Sequence, residues 1–236
     1  MLLVNQLAIC CGESCLLDGV TFTVNSDEKV GIVGASGSGK TILAHALLGY
    51  CPEGFEMRGS IDSVGEIALI PQSAACLNPT SRINRQLAEM SRSDDEYRKV
   101  IKHCQLDEAL LNKYPGELSG GMAKRALIAL GLVQGKEVII ADEPTSGLDN
   151  TRSEQLLTLL TSLAANRQSM IVISHDIVAL TRHVERLLVF RDGQLVDDVT
   201  IEPGWNNDCH PYTQALWQAA PEHWHDISED HYAKSA

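Results

Sequence analysis

The octet Gly34-Ala35-Ser36-Gly37-Ser38-Gly39-Lys40-Thr41 constrains this chain more than any other stretch. It fits the pattern G-x-x-x-x-G-K-[ST] in full, follows the β-rich run KVGIVG, and opens KTILAHALLGY, whose apolar residues recur at helical spacing. Strand, glycine-rich turn and helix form the setting in which this pattern holds phosphate. The glycines let successive backbone N–H groups turn inward, Lys40 brings a positive charge to the β/γ oxygens, and Thr41 can ligate Mg²⁺. All eight residues are therefore candidate nucleotide contacts.

The remainder reads as an α/β fold built around that loop. LLVNQLAI and LLDGVTFTV alternate as strands of an N-terminal antiparallel β subdomain, and GEIALIPQ is a further strand. Ser93 and Glu96 form a capping box that opens a polar helix through about Gln105, inside a helical lobe of roughly residues 76–130. LSGGMAKRALIALGL predicts another helix and EVIIADEP an apolar strand. TRSEQLLTLLTSLAA is a helix with Leu156, Leu159, Leu160 and Leu163 on one face, and SMIVISHD is a buried strand. Strands alternating with helices predict a mainly parallel sheet covered on both faces. The hairpin LLVFRDGQLV, turned at Asp192-Gly193, closes a domain of residues 1–203. Residues 204–236 are polar, aromatic and His-rich, and are expected to form a loosely attached tail.

Composition narrows the function. Nineteen Lys and Arg stand against 31 Asp and Glu, a formal charge of −12, which disfavours a nucleic-acid partner. The N-terminus lacks a signal-peptide pattern and no apolar run approaches a bilayer's thickness, so a cytoplasmic location is expected. Seven scattered cysteines without a C-x-x-C pair match neither a disulfide framework nor a usual zinc site, and predict reduced, mostly buried thiols. The tail residues His223, His225 and His231 could bind a transition metal, but a solvated tail is the expectation.

VIIADE places Asp142 and Glu143 at the end of a buried strand, where catalytic groups collect in open α/β sheets. Asp142 is a candidate metal holder, and Glu143 a candidate for polarising the attacking water. With the phosphate loop, the segment LSGGM at residues 118–122, DEPTSGLD at 142–149, Gln72 after one strand and His175 after another closely resemble the ATP-binding cassette of ABC transporters over nearly the whole chain. The resemblance implies a P-loop ATPase core with a helical signature subdomain. By it, Ser119, Gly120, Gly121 and Met122 meet the γ-phosphate of ATP held by another subunit, and residues 146–149 touch the facing site. Gln72 senses the metal and the membrane partner, and His175 contacts the γ-phosphate. ATP and Mg²⁺ are the implied cofactors, with Thr41, Gln72 and Asp142 as the metal set and Lys40, Gln72, Glu143 and His175 as the catalytic set.

SAACLNPTSRINRQL after Gln72, the methionine of LSGGM, and HPYTQAL at residues 210–216 resemble the importers for peptides and nickel. That group implies a second cassette, either a paralogue or another copy, beneath transmembrane permease subunits fed by an extracytoplasmic binding protein. It also implies a peripheral position on the inner face of the cell membrane. The alternatives are a non-transport ABC ATPase acting on ribosomes or DNA, and a cassette that mainly completes a partner's site. Two departures stand out. The stretch between Lys40 and Gln72 is shorter than this group's, implying a trimmed antiparallel subdomain. The position at which the family stacks an aromatic ring on adenine falls on Cys11-Gly12, inside ICCGESC, where there is no ring.

Overall fold

The structure is a computed structural model that describes residues 1–163 and 168–220. Its elements run β1 (Leu2–Cys11), β2 (Ser14–Val24), β3 (Lys29–Val33), α1 (Lys40–Leu47), β4 (Glu56–Ser63) and β5 (Ile67–Ile70). There follow α2 (Ile83–Met90), α3 (Asp94–His103), α4 (Glu108–Leu111), α5 (Gly120–Leu132), β6 (Val138–Asp142) and α6 (Asn150–Leu163). The chain continues through β7 (Ser169–Ile173), α7 (Ile177–Thr181), β8 (Arg186–Arg191), β9 (Gln194–Thr200) and α8 (Pro211–Gln218).

One six-stranded sheet, ordered β5-β6-β7-β3-β8-β9, is parallel except for β9. All five residues of β6 and of β7 are buried, which is why these strands read as unbroken apolar runs and not as alternating ones. Successive residues point to opposite faces and so divide the core. Val30, Ile32, Ile140, Ile171 and Leu188 face α1 and the N-terminal strands, while Ile139, Met170, Val172 and Leu187 face the helices α5, α6 and α7. Gly131 of α5 lies against Ile70, and a β-carbon there would overlap that side chain. Its lack of a side chain lets the helix reach the sheet.

The antiparallel sheet, ordered β2-β1-β4, is three-stranded. Sequence reading assigns no element to residues 51–64, and β4 lies there. The helical lobe has no separate core: Ile83, Leu87, Val100 and Leu110 join the same apolar cluster as the sheet residues Ile139 and Val172. Ser93 caps α3, accepting from the Glu96 N–H at 3.2 Å, which is one half of the expected capping box.

Two expectations are corrected. Cys10 and Cys15 form a disulfide, because Gly12 and Glu13 turn the hairpin so tightly that these two residues stand opposite each other, Cα atoms 4.0 Å apart. Of the remaining five thiols, Cys104 and Cys209 are buried, Cys51 is half-buried, and Cys11 and Cys76 are exposed. Second, residues 204–220 are not loosely attached. Trp205, Tyr212, Leu216 and Trp217 pack on the main apolar cluster, and Thr213 is fully buried. His223, His225 and His231 lie outside the described residues. Among the described residues no helix is long and apolar enough to cross a membrane.

Candidate functional site

The phosphate-loop octet joins β3 to α1 at the carboxyl edge of the parallel sheet, beside Asp142 at the end of β6 and the residues that follow β7. Two of its glycines are sterically required. A β-carbon on Gly34 would overlap the Phe190 carbonyl oxygen and come within 2.7 Å of Ser38 Oγ. Gly39 has φ +100°, and a β-carbon there would meet Leu17 Cδ2 at 2.9 Å and Leu16 O at 3.0 Å. Gly39 is the N-cap of α1 and offers no side-chain cap, so the first-turn N–H groups of the helix are available to an anion. No acidic residue in that turn opposes one.

Lys40 is 7 % exposed. Its Nζ donates to the carbonyls of Gly34 and Ala35, each at 2.9 Å. Burial pushes its ammonium below the ordinary lysine range, against the opposing pull of Glu143 and Asp142. Thr41, next along the helix, hydrogen-bonds the Asp142 carboxylate. Asp142 is 4 % exposed, and burial raises its pKa above the usual carboxylate range. Its Oδ1 has no hydrogen-bond partner among the described residues, a costly state for a buried carboxylate oxygen.

Glu143 takes a left-handed backbone, φ +45°, and its N–H donates to the Ile173 carbonyl at 2.9 Å. That turn brings its carboxylate to His175 Nδ1, 2.9 Å from Oε2 and 3.1 Å from Oε1. Lys40, Thr41, Gln72, Glu143 and His175 line one open cleft of about 540 Å³ with Ser36, Gly37 and Gly39. Gln72 is exposed at its rim.

The signature residues are elsewhere. Ser119 caps α5, accepting from the Met122 N–H at 3.4 Å, and Gly120 and Gly121 meet nothing on their open side. Ser119, Gly120, Gly121 and Met122 line a second cleft with Gly147 and Leu148, and none of them reaches the phosphate-loop cleft. Cys11 is exposed at the hairpin tip and does not line the phosphate-loop cleft, whereas Cys15 and Leu16 do.

One functional candidate escapes sequence reading. Lys124 Nζ donates to the Gln72 carbonyl at 2.6 Å and to Ser146 Oγ at 3.3 Å, tying the signature helix to two of the motif loops. Burial lowers its pKa, while Glu143 pulls the other way. The one available signal was a cation within an otherwise mostly apolar helix, a pattern that usually marks a solvated face.

Residues 17–146 match the ABC transporter family. The chain is 36 % identical to the nickel import system ATP-binding protein NikE of Staphylococcus aureus (strain MRSA252), over 86 % of this chain and 92 % of that one. It is 32 % identical to a probable D,D-dipeptide transport ATP-binding protein, DdpD, of Escherichia coli (strain K12), over 90 % of this chain and 74 % of that one. Among solved structures it is similar to a bacterial ABC transporter cassette determined as a dimer. That likeness has a TM-score of 0.72 and 25 % identity, and covers 86 % of this chain and 99 % of that one.

Proposed function

This chain belongs to the ABC transporter family, and from that premise we propose that it is the ATP-hydrolysing subunit of an importer carrying a peptide, nickel or a metal chelate. One observation carries the reading. A phosphate cradle and a Glu–His pair share one cleft, with the buried Asp142 bonded to Thr41 of its lining, while the signature residues line a second cleft where Ser119 and Gly120 are exposed. Such a chain holds ATP in one cleft and offers the signature to ATP held by a second cassette, so that ATP joins the two and its hydrolysis releases them.

In this reading the N–H groups of the loop and of the first turn of α1 that have no partner within the chain cradle the phosphates, and Lys40 moves from its loop carbonyls to the β/γ oxygens. Asp142 and Thr41 suit a hard divalent cation, since their donors are oxygens and Asp142 Oδ1 is buried without a partner. We assign Mg²⁺ to them, with Gln72 at the rim, and bound there it would neutralise charge on the phosphate oxygens. Glu143 polarises the attacking water. His175 orients that carboxylate through Nδ1 and leaves its other ring nitrogen for the γ-phosphate. Ser119, Gly120, Gly121 and Met122 act on the partner's nucleotide.

The second cassette is a paralogue or another copy of this chain. Both would sit against permease subunits at the cytoplasmic face, with an extracytoplasmic binding protein delivering the cargo and no nucleic acid involved. To test the reading, the chain is co-purified with its membrane subunits and reconstituted in vesicles supplied with the binding protein. ATP-dependent uptake of nickel or short peptides that disappears in Glu143→Gln is the expected result. ATP turnover that responds to ribosomes or DNA and drives no uptake would favour the non-transport alternative.

A further inference from the structure

The segment His210-Pro211-Tyr212-Thr213 lies far from the phosphate loop in sequence, yet Tyr212 Oη accepts a hydrogen bond from the Ala35 N–H at 3.1 Å. Ala35 is the second residue of the loop. Ala35 is therefore held at both its N–H and its carbonyl, which accepts from Lys40 Nζ at 2.9 Å. We propose that Tyr212 is a positioning residue for nucleotide binding, with α8 bracing the phosphate loop from its outer side.

The brace is built from several independent contacts. His210 caps α8, its Nδ1 accepting from the Tyr212 N–H at 3.1 Å, and Pro211 supplies a first-turn residue with no N–H to satisfy. The His210 N–H and the Thr213 hydroxyl both donate to Asp197 Oδ2 of β9 at 2.8 Å, which pins the helix start to the sheet. Arg191, the last residue of β8, lies over the Tyr212 ring with its Cζ 5.1 Å from the centroid. Two residues further on, the Gly193 N–H donates to the Ser38 carbonyl at 3.1 Å. The β8–β9 turn and α8 thus grip the loop at Ser38 and Ala35 respectively. A loop held at these two points needs less ordering when it closes on phosphate, and less ordering means tighter binding.

The inference rests on the nucleotide reading above, so the test first measures ADP binding to the full chain by calorimetry. Tyr212→Phe keeps the ring and its Arg191 contact and removes only the acceptor. It is expected to raise the ADP dissociation constant about two- to fivefold, in line with the loss of one partly solvated hydrogen bond, and to leave the melting temperature nearly unchanged. Leu216→Ala, which trims a packed side chain one turn further along α8, is expected to lower the melting temperature and leave ADP affinity within error. In the assembled complex, Tyr212→Phe should raise KM for ATP with kcat retained. An unchanged dissociation constant in Tyr212→Phe would overturn the proposal. So would equal weakening in Leu216→Ala, because that would make the effect one of general stability. A wild-type chain that fails to bind ADP overturns the nucleotide reading itself.

Discussion

The two clefts of this molecule are finished to different degrees. In the phosphate-loop cleft three functional side chains already have partners within the chain: Lys40 on two carbonyls, Glu143 on His175, Thr41 on Asp142. In the signature cleft Ser119 and Gly120 are exposed, and the two glycines face open space. One cleft has its charged side chains placed before a ligand arrives, and the other presents small residues to open space. The contrast is what the proposed division of labour requires: nucleotide held in one cleft, and the signature offered to a second chain.

The sharpest way to break the comparison is at Glu143. Glu143→Gln leaves the cradle intact and removes the carboxylate proposed to polarise water, so ATP turnover of the assembled complex should fall by about a hundredfold or more while binding persists. Near-normal turnover would place the productive site in the partner's cleft. Ser119→Arg is the matching change on the other side. It should spare ATP binding to this chain and abolish ATP-dependent association, measured separately by calorimetry and by light scattering. Weakened binding with association intact would mean that the two clefts are not halves of one site.

A smaller effect is expected at the hairpin tip, where the family resemblance puts the base. Cys11→Tyr would supply a stacking surface, and by analogy with base–aromatic contacts should tighten ATP about fivefold or more without altering pyrophosphate binding. No gain in an ATP titration would show that the base leans on Cys15 and Leu16 instead. The smallest effect concerns an ion-pair cluster at the wall of the signature cleft. Glu154 of α6 accepts from His183 Nε2 at 2.7 Å and from Arg182 at 2.6 Å, and the His183 bond foremost holds its carboxyl below the ordinary range. A depressed folded pKa stabilises above the unfolded value and is lost as pH falls through the folded one. Glu154→Gln should therefore lower the melting temperature by about 2 °C at pH 7, and by progressively less as the pH falls through and below the ordinary glutamate range. A constant difference across that range would remove the ion pair from the account.

Legibility in the sequence followed how local each cause was. The phosphate loop, the strand ending at Asp142 and the α3 cap are each set by a few adjacent residues, and all were readable. The pairing of Glu143 with His175 was not, because it depends on β6 and β7 being neighbours and on a left-handed turn at Glu143. The contacts of Lys124 and Tyr212 were hidden for the same reason, although HPYTQAL stands out as a segment: their partners are 52 and 177 residues away. The Cys10–Cys15 bridge was local, yet a count of thiols concealed it, since only strand register shows which two stand opposite.

That bridge encloses a very short loop. With a sequence separation of five, chain-entropy arguments limit its contribution to about 2 kcal/mol, and the ladders that β1 forms with β2 and β4 already hold the same register. The hairpin should thus keep its shape whether the sulfurs are joined or free, making the fold largely indifferent to the redox poise around it. What would change is chemistry. Reduction would leave a thiol on Cys15, a residue that lines the phosphate-loop cleft, next to the already exposed Cys11.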